Sequence, residues 1–92
     1  MEKEYYTFPA IVSKTGTGYG LHFYDLPGCI ATGKTMDEAA YMAKEGLALH
    51  LWGMEQDGEK IPAPTPIDEI PLGKGEAICL LDANMAEARK TA

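Results

Sequence analysis

The sequence predicts an α+β fold: a mainly antiparallel sheet of three to four strands in the order β-β-β-α-β, with one main helix packed on one face and a short C-terminal helix. Three observations predict it. Two stretches with apolar residues at every second position meet at a glycine-bearing turn, a long stripe with three- and four-residue spacing follows, and a continuous apolar run comes late in the chain.

Tyr5 to Ser13 reads as the first strand, with Tyr6, Phe8, Ala10 and Val12 on one face. Pro9 lies inside it and has no N–H to give a ladder, which predicts an open edge or a bulge there. Lys14-Thr15-Gly16-Thr17-Gly18 makes the turn, its glycines suiting a hairpin loop with a bulged residue. In the second strand, Tyr19 to Tyr24, Tyr19, Leu21 and Phe23 alternate with Gly20, His22 and Tyr24. Antiparallel pairing of the two strands builds one apolar and one mixed face.

Asp25-Leu26-Pro27-Gly28-Cys29 is a sharp corner. Proline fixes its own φ, biases Leu26 toward an extended conformation, and is followed by a glycine free to take positive φ. A short third strand follows around Cys29 to Thr32. Thr35-Met36-Asp37-Glu38 then has capping-box spacing: Thr35 can accept from the Glu38 amide, and the Glu38 carboxylate can reach back to the Thr35 amide.

The helix opened by that cap is expected from about Met36 to about Met54. Met36, Ala39, Ala40, Ala43, Leu47, His50, Leu51 and Met54 form its apolar stripe. Gly46 costs about 1 kcal/mol relative to alanine in a helix interior, and close packing is the expected reason for it. Tyr41 and Trp52 fall opposite the stripe, with Trp52 expected to lie under the returning proline-rich segment.

Beyond Gly58, Ile61-Pro62-Ala63-Pro64-Thr65-Pro66 must be extended, because proline blocks helix. Gly73-Lys74-Gly75 is another turn. Ala77-Ile78-Cys79-Leu80-Leu81 reads as a strand covered on both faces. Asn84-Met85-Ala86-Glu87 is a second capping pattern and opens the short last helix.

A chain of 92 residues makes one domain. The expected division is an α/β domain over 1–82 and a short helix or tail over 83–92. Area scaling gives about 5,200 Å² of folded surface against about 14,500 Å² unfolded, enough for one small core that association with a partner would support. The net charge of −6 makes the chain a poor candidate for gripping nucleic acid and a plausible ligand for a basic protein. Cys29 and Cys79 are too few and too far apart for a disulfide framework or a zinc site. No stretch reaches transmembrane length and no signal-peptide pattern opens the sequence, so the expectation is a soluble cytoplasmic protein without membrane contact.

Tyr6, a glycine-rich turn, the strand GYGLHFYDLPGC, a Thr-Gly pair and a capped helix carrying Glu38-Ala39-Ala40 stand in an order that resembles the HicB antitoxin family. The resemblance runs from Tyr5 to Leu81. Ile61-Pro62-Ala63-Pro64 fits that family's proline-rich return, and Tyr24 stands where the family more often has proline. It implies a reduced RNase H-like fold and a binding role. HicB proteins neutralise HicA, a small basic ribonuclease that degrades messenger RNA, by covering its RNA-binding surface and catalytic histidine. Many also carry a C-terminal ribbon-helix-helix or helix-turn-helix module that binds the operon's promoter, and this sequence stops where such a module would begin.

Catalysis is not expected. A nucleophile needs a base within hydrogen-bond reach and that base needs an orienting group, but His22 and Asp25 alternate to opposite faces and Cys29 lies beyond the turn. A metal-dependent nuclease needs converging carboxylates, yet the strands offer only Asp25 at an end and Asp82 after the last. No phosphate-cradling loop or dinucleotide fingerprint is present. No catalytic, metal or cofactor residue is therefore assigned. The partner implied by the resemblance is a HicA-like basic ribonuclease, and acids flanking aromatics are the contacts expected: Asp25, Asp37, Glu38, Tyr41, Glu45 and Trp52. Self-association, to a dimer or higher, is expected through Tyr5, Tyr24 and the strand edges. Other readings are a metal-dependent nuclease on an RNase H-like scaffold and an orphan domain recruited as an oligomeric interaction module.

Overall fold

The computed structural model describes residues 4–91. Its elements are β1 (Tyr5–Lys14), β2 (Tyr19–Phe23), β3 (Ile30–Gly33), α1 (Met36–Asp57), a 3-10 turn at Ile67–Glu69, β4 (Glu76–Asn84) and α2 (Met85–Thr91). The strands form one antiparallel sheet in the order β3-β2-β1-β4. The predicted β-β-β-α-β order and the short final helix are both present.

β1 is not an edge strand, contrary to the expectation raised by Pro9. It pairs with β4 from Tyr5 to Ser13 and with β2 from Ala10 to Lys14. The Tyr24 N–H donates to the Pro9 carbonyl at 3.4 Å. A residue's N–H and C=O point to the same side of a strand, so the donor that Pro9 lacks would also face β2, where that strand has just ended at Phe23. Proline thus closes the β1–β2 ladder and leaves the β1–β4 ladder whole.

One face of the sheet carries the core. Phe8, Ala10, Leu21 and Phe23 meet Ala39, Ala43, Leu47 and Leu51 of α1, and Leu26, Cys29, Ala83, Met85 and Ala88 complete the cluster. Met36, Tyr6, Val12 and Trp52 pack around it. The corner after β2 turns through Gly28 at φ 88°, with Cys29 N–H donating to the Leu26 carbonyl at 3.0 Å, and it drives Leu26 into the core.

The helix is capped as its sequence requires, with the Glu38 N–H donating to Thr35 Oγ1 at 3.1 Å, a bond of a kind that contributes about 1 kcal/mol. The return half of the box shifts by one residue: the Glu38 carboxylate accepts from the Lys34 N–H at 3.3 Å rather than from Thr35. The helix runs to Asp57, one turn beyond the expected Met54, and ends where Gly58 takes φ 72° and donates to Glu55 and Met54 carbonyls. The second cap also forms, with the Glu87 N–H donating to Asn84 Oδ1 at 3.3 Å.

Gly46 is not explained by close packing, since an added Cβ would meet nothing within 4 Å. Gly46→Ala should therefore raise stability by about 0.5–1 kcal/mol, because alanine removes backbone freedom from the unfolded chain at no steric cost. A urea titration showing a lower midpoint for the variant would contradict the open space seen there.

β4 departs from expectation too. It is an edge strand, not one covered on both faces. Ala77, Cys79 and Leu81 share the face of Ala10 and Phe8, while Ile78 and Leu80 share the opposite face, where Leu80 is 57% exposed. A continuous apolar run looks alike in a buried strand and in an edge strand with one open face. Only the sheet order separates them.

The helix-free face is partly covered by the return to β4. Thr65 is held at Asp25, beyond one end of β2, and Glu76 pairs with Ser13 near the other end. Ile70 lies between them and is buried, as is Ile11 on this face of β1, and both stand outside the main cluster. The exposed surface is 6001 Å², above the roughly 5,200 Å² expected for the mass, which fits a thin layer only 17 Å across its shortest axis.

Candidate partner-binding surface

Tyr41, Glu45 and Leu49 are spaced four residues apart on α1, on the flank turned away from the core stripe. Tyr41 is 62% exposed and Leu49 53%. Glu45, one helical turn from Tyr41, pushes the phenol above its ordinary range, first through hydrogen bonding and then through its charge. The acid and the aromatic ring therefore act as one amphipathic unit at the surface.

Beside this stripe runs a groove of about 360 Å³ between α1, the outer edge of β4 and α2. Ala48 and Ala88, both buried, line it with small side chains. Asp82 and Asn84 supply the sheet side, Glu87 the α2 side and Lys44 the remaining charge. Its position follows from the short last helix. Met85 and Ala88 seat α2 on the core, and Arg89 clamps it to α1 through Glu55 at 2.8 Å. Among the described residues α2 meets α1 at Glu55, and the flank of α1 at Tyr41, Glu45 and Leu49 stays exposed beside the groove.

Glu45 and Glu87 set two acids against one lysine along an apolar floor, and Asp82 adds a third at the outer edge of β4, on the face of Ile78 and Leu80. Asp82 also accepts from Thr7 Oγ1 at 2.6 Å across the β1–β4 pair, which fixes its position on the strand. The arrangement suits a partner that brings cationic side chains together with apolar ones.

Of the residues expected to meet a partner, the structure brings Tyr41 and Glu45 together in this groove. Asp37 is exposed on the first turn of α1, and Glu38 beside it is engaged in the cap. Asp25 is committed to the fold: one carboxylate oxygen accepts from the Thr65 N–H at 2.9 Å and the other from the Thr65 hydroxyl, pinning the proline-rich return to the corner. Trp52 is half-buried against the core. Tyr5 and Tyr24 are 60% and 40% exposed on the helix-free face.

Leu49, Asp82 and Glu87 are not among the partner contacts expected from the sequence. An apolar residue off the helix stripe was a usable sign for Leu49. Nothing local places Asp82 and Glu87 beside Glu45, because that depends on where β4 enters the sheet. Among the described residues no three His, Cys, Asp or Glu side chains converge as a cation site. His22 is exposed, whereas the Cys29 thiol is buried and its pKa is pushed up by desolvation.

The profile of a family described as the HicB-like antitoxin of bacterial toxin-antitoxin systems matches residues 8–91, which takes in every element that builds the groove. The chain belongs to the HicB-like antitoxin family. It is 37% identical over 81 residues to an uncharacterised 14.9 kDa protein of Haemophilus phage HP1, covering 85% of this chain and 61% of that one. To antitoxin HicB of Escherichia coli K12 it is 33% identical over 72 residues, covering 72% of this chain and 52% of that one. This HicB-like chain thus spans about half to three fifths of the length of the curated relatives it matches. Its fold is that of a chain in a toxin-antitoxin complex from Streptococcus pneumoniae, with a TM-score of 0.81 at 19% identity over 90% of this chain and 71% of that one. Among the described residues no helix is long and apolar enough to cross a membrane.

Proposed function

We propose that this chain is an antitoxin that binds and neutralises a small basic HicA-like ribonuclease toxin in the cytoplasm, by covering it rather than by catalysis. The observation that carries the reading is the acid-rimmed apolar groove on a HicB-like fold, with Tyr41 as its exposed anchor. Binding falls to the α/β domain over 1–82, a reduced RNase H-like arrangement put to inhibition, and within the short helix or tail over 83–92 α2 (Met85–Thr91) walls the groove. The chain's net charge of −6 steers it to a basic protein and away from nucleic acid.

Opposite charges raise the association rate and make it salt-sensitive, while the aromatic anchor sets dissociation. Glu45→Lys is the cleaner charge reversal, because Glu38 also caps the helix. It should weaken toxin binding by about tenfold or more, a loss of about 1.4 kcal/mol, while leaving the melting temperature nearly unchanged. Calorimetric titration with the toxin, followed by an RNA-cleavage assay of the mixture, reads both effects. A folded domain that neither binds the toxin nor blocks cleavage would remove the assignment. Self-association through Tyr5 and Tyr24 is a second proposal, supported by their exposure on the helix-free face.

A further inference from the structure

β4 forms one edge of the sheet, and the ladder fixes which of its backbone groups face outward. The Met85 N–H donates to the Glu4 carbonyl at 2.7 Å, so Glu4, Tyr6, Phe8, Ala10 and Val12 turn their backbone groups to β4. Their partners Ala83, Leu81, Cys79 and Ala77 complete that ladder. Ile78, Leu80 and Asp82, which alternate with them, turn N–H and C=O away from β1, and among the described residues no strand lies beyond.

Sheet edges are ordinarily blunted by shortness, lysine, proline or a bulge. β4 has nine residues without lysine or proline, pairs with β1 without interruption, and carries Leu80 in its middle at 57% exposure. The groove opens along this same edge, at Asp82 and Asn84.

We propose that this edge receives an extended cationic segment of the protein partner as an added strand, its basic side chains reaching Glu45 in the groove on one face and Asp82 on the other. The inference rests on the antitoxin reading and names how the partner is held. Main-chain bonds to Ile78, Leu80 and Asp82 supply affinity, and alternate side chains supply specificity, one set at the groove and the other beside Ile78 and Leu80. Charge selects the occupant. A second copy would bring another −6 and gather the acids at 76 and 82 of both strands on one seam, whereas a cationic segment relieves them.

The test is residue-resolved amide exchange by NMR on the labelled chain, alone and with a catalytically inactive HicA-like toxin. The Ile78, Leu80 and Asp82 amides should exchange fast in the free chain and slow by about tenfold or more in the complex, while Cys79 and Leu81 stay protected throughout. Leu80→Pro removes one outward donor at an edge position that tolerates proline, so it should keep its far-UV circular dichroism and weaken toxin binding by about tenfold. Toxin binding that depends on Glu45 but leaves the three amides fast would overturn the added strand and keep the antitoxin reading. No binding by the folded chain removes both. Protection that appears in the free chain and grows with its concentration assigns the edge to a second copy instead, and overturns the proposal.

Discussion

Leu47→Ala should lower the unfolding free energy by about 2–5 kcal/mol, the range for removing a fully buried leucine when the surroundings cannot collapse into the gap. Leu47 has no exposed surface and sits mid-helix among the residues that join α1 to the sheet. Ala43, one turn before it on the same helix and in the same cluster, is already small and cannot swing in to refill the space. At about 0.05–0.15 kcal/mol per residue the whole domain has roughly 5–14 kcal/mol in hand, so the loss is a large fraction of the total. Urea titration should show a much lower midpoint at unchanged slope. A loss below about 1 kcal/mol would mean that α1 is not seated on the sheet through this side chain.

Gly33→Ala should be comparably damaging, for the opposite reason. An ideal Cβ at Gly33 would lie 2.7 Å from Ala39 Cα and 2.9 Å from the Glu38 carbonyl carbon, and closer still to the Ala39 nitrogen. All three are backbone atoms of the first turns of α1, so no side chain can rotate away. Either β3 or the capped end of α1 must move, and overpacking of this kind costs about 1–3 kcal/mol or more. The hairpin turn adds to the constraint, since a Cβ on Gly18 would lie 2.8 Å from Lys34 Cα. Gly16→Ala is the control: an added Cβ there meets nothing within 4 Å, and its melting temperature should stay close to that of the parent. Equal melting temperatures for Gly33→Ala and the parent would show that α1 has room to ride higher on the sheet.

Small residues thus set how closely α1 approaches β3, while the large ones fill the space farther along. Ala39 and Gly33 meet at the tight end, and Leu47, Leu51, Phe8 and Met85 fill the core with no or almost no exposed surface. This wedge leaves the outer flank of α1, with Tyr41, Glu45 and Leu49, beside the groove. The surface proposed to meet a partner is therefore a flank that the core does not use.

The identity of each element was legible in the sequence because its signals are local. Alternation from Tyr19 to Phe23, the Thr35 cap, the stripe through Leu47 and the left-handed glycine at Gly58 each depend on residues a turn or a strand apart. Tyr41 and Glu45 were legible for the same reason, being one helical turn apart and off the stripe. What only the tertiary structure decided was adjacency. Pro9 suggested an edge, yet β1 is central because β4 returns across a long connection to pair with it, Ala10 meeting Cys79. Asp25 had the look of a surface acid, but it is occupied by Thr65, forty residues later in the chain. Asp82 and Glu87 join Glu45 only because β4 takes the outer place in the sheet. Side-chain periodicity records which face of an element is wetted. Which element lies next to it is set by loop closure and the burial of the whole core, and no single segment carries that information.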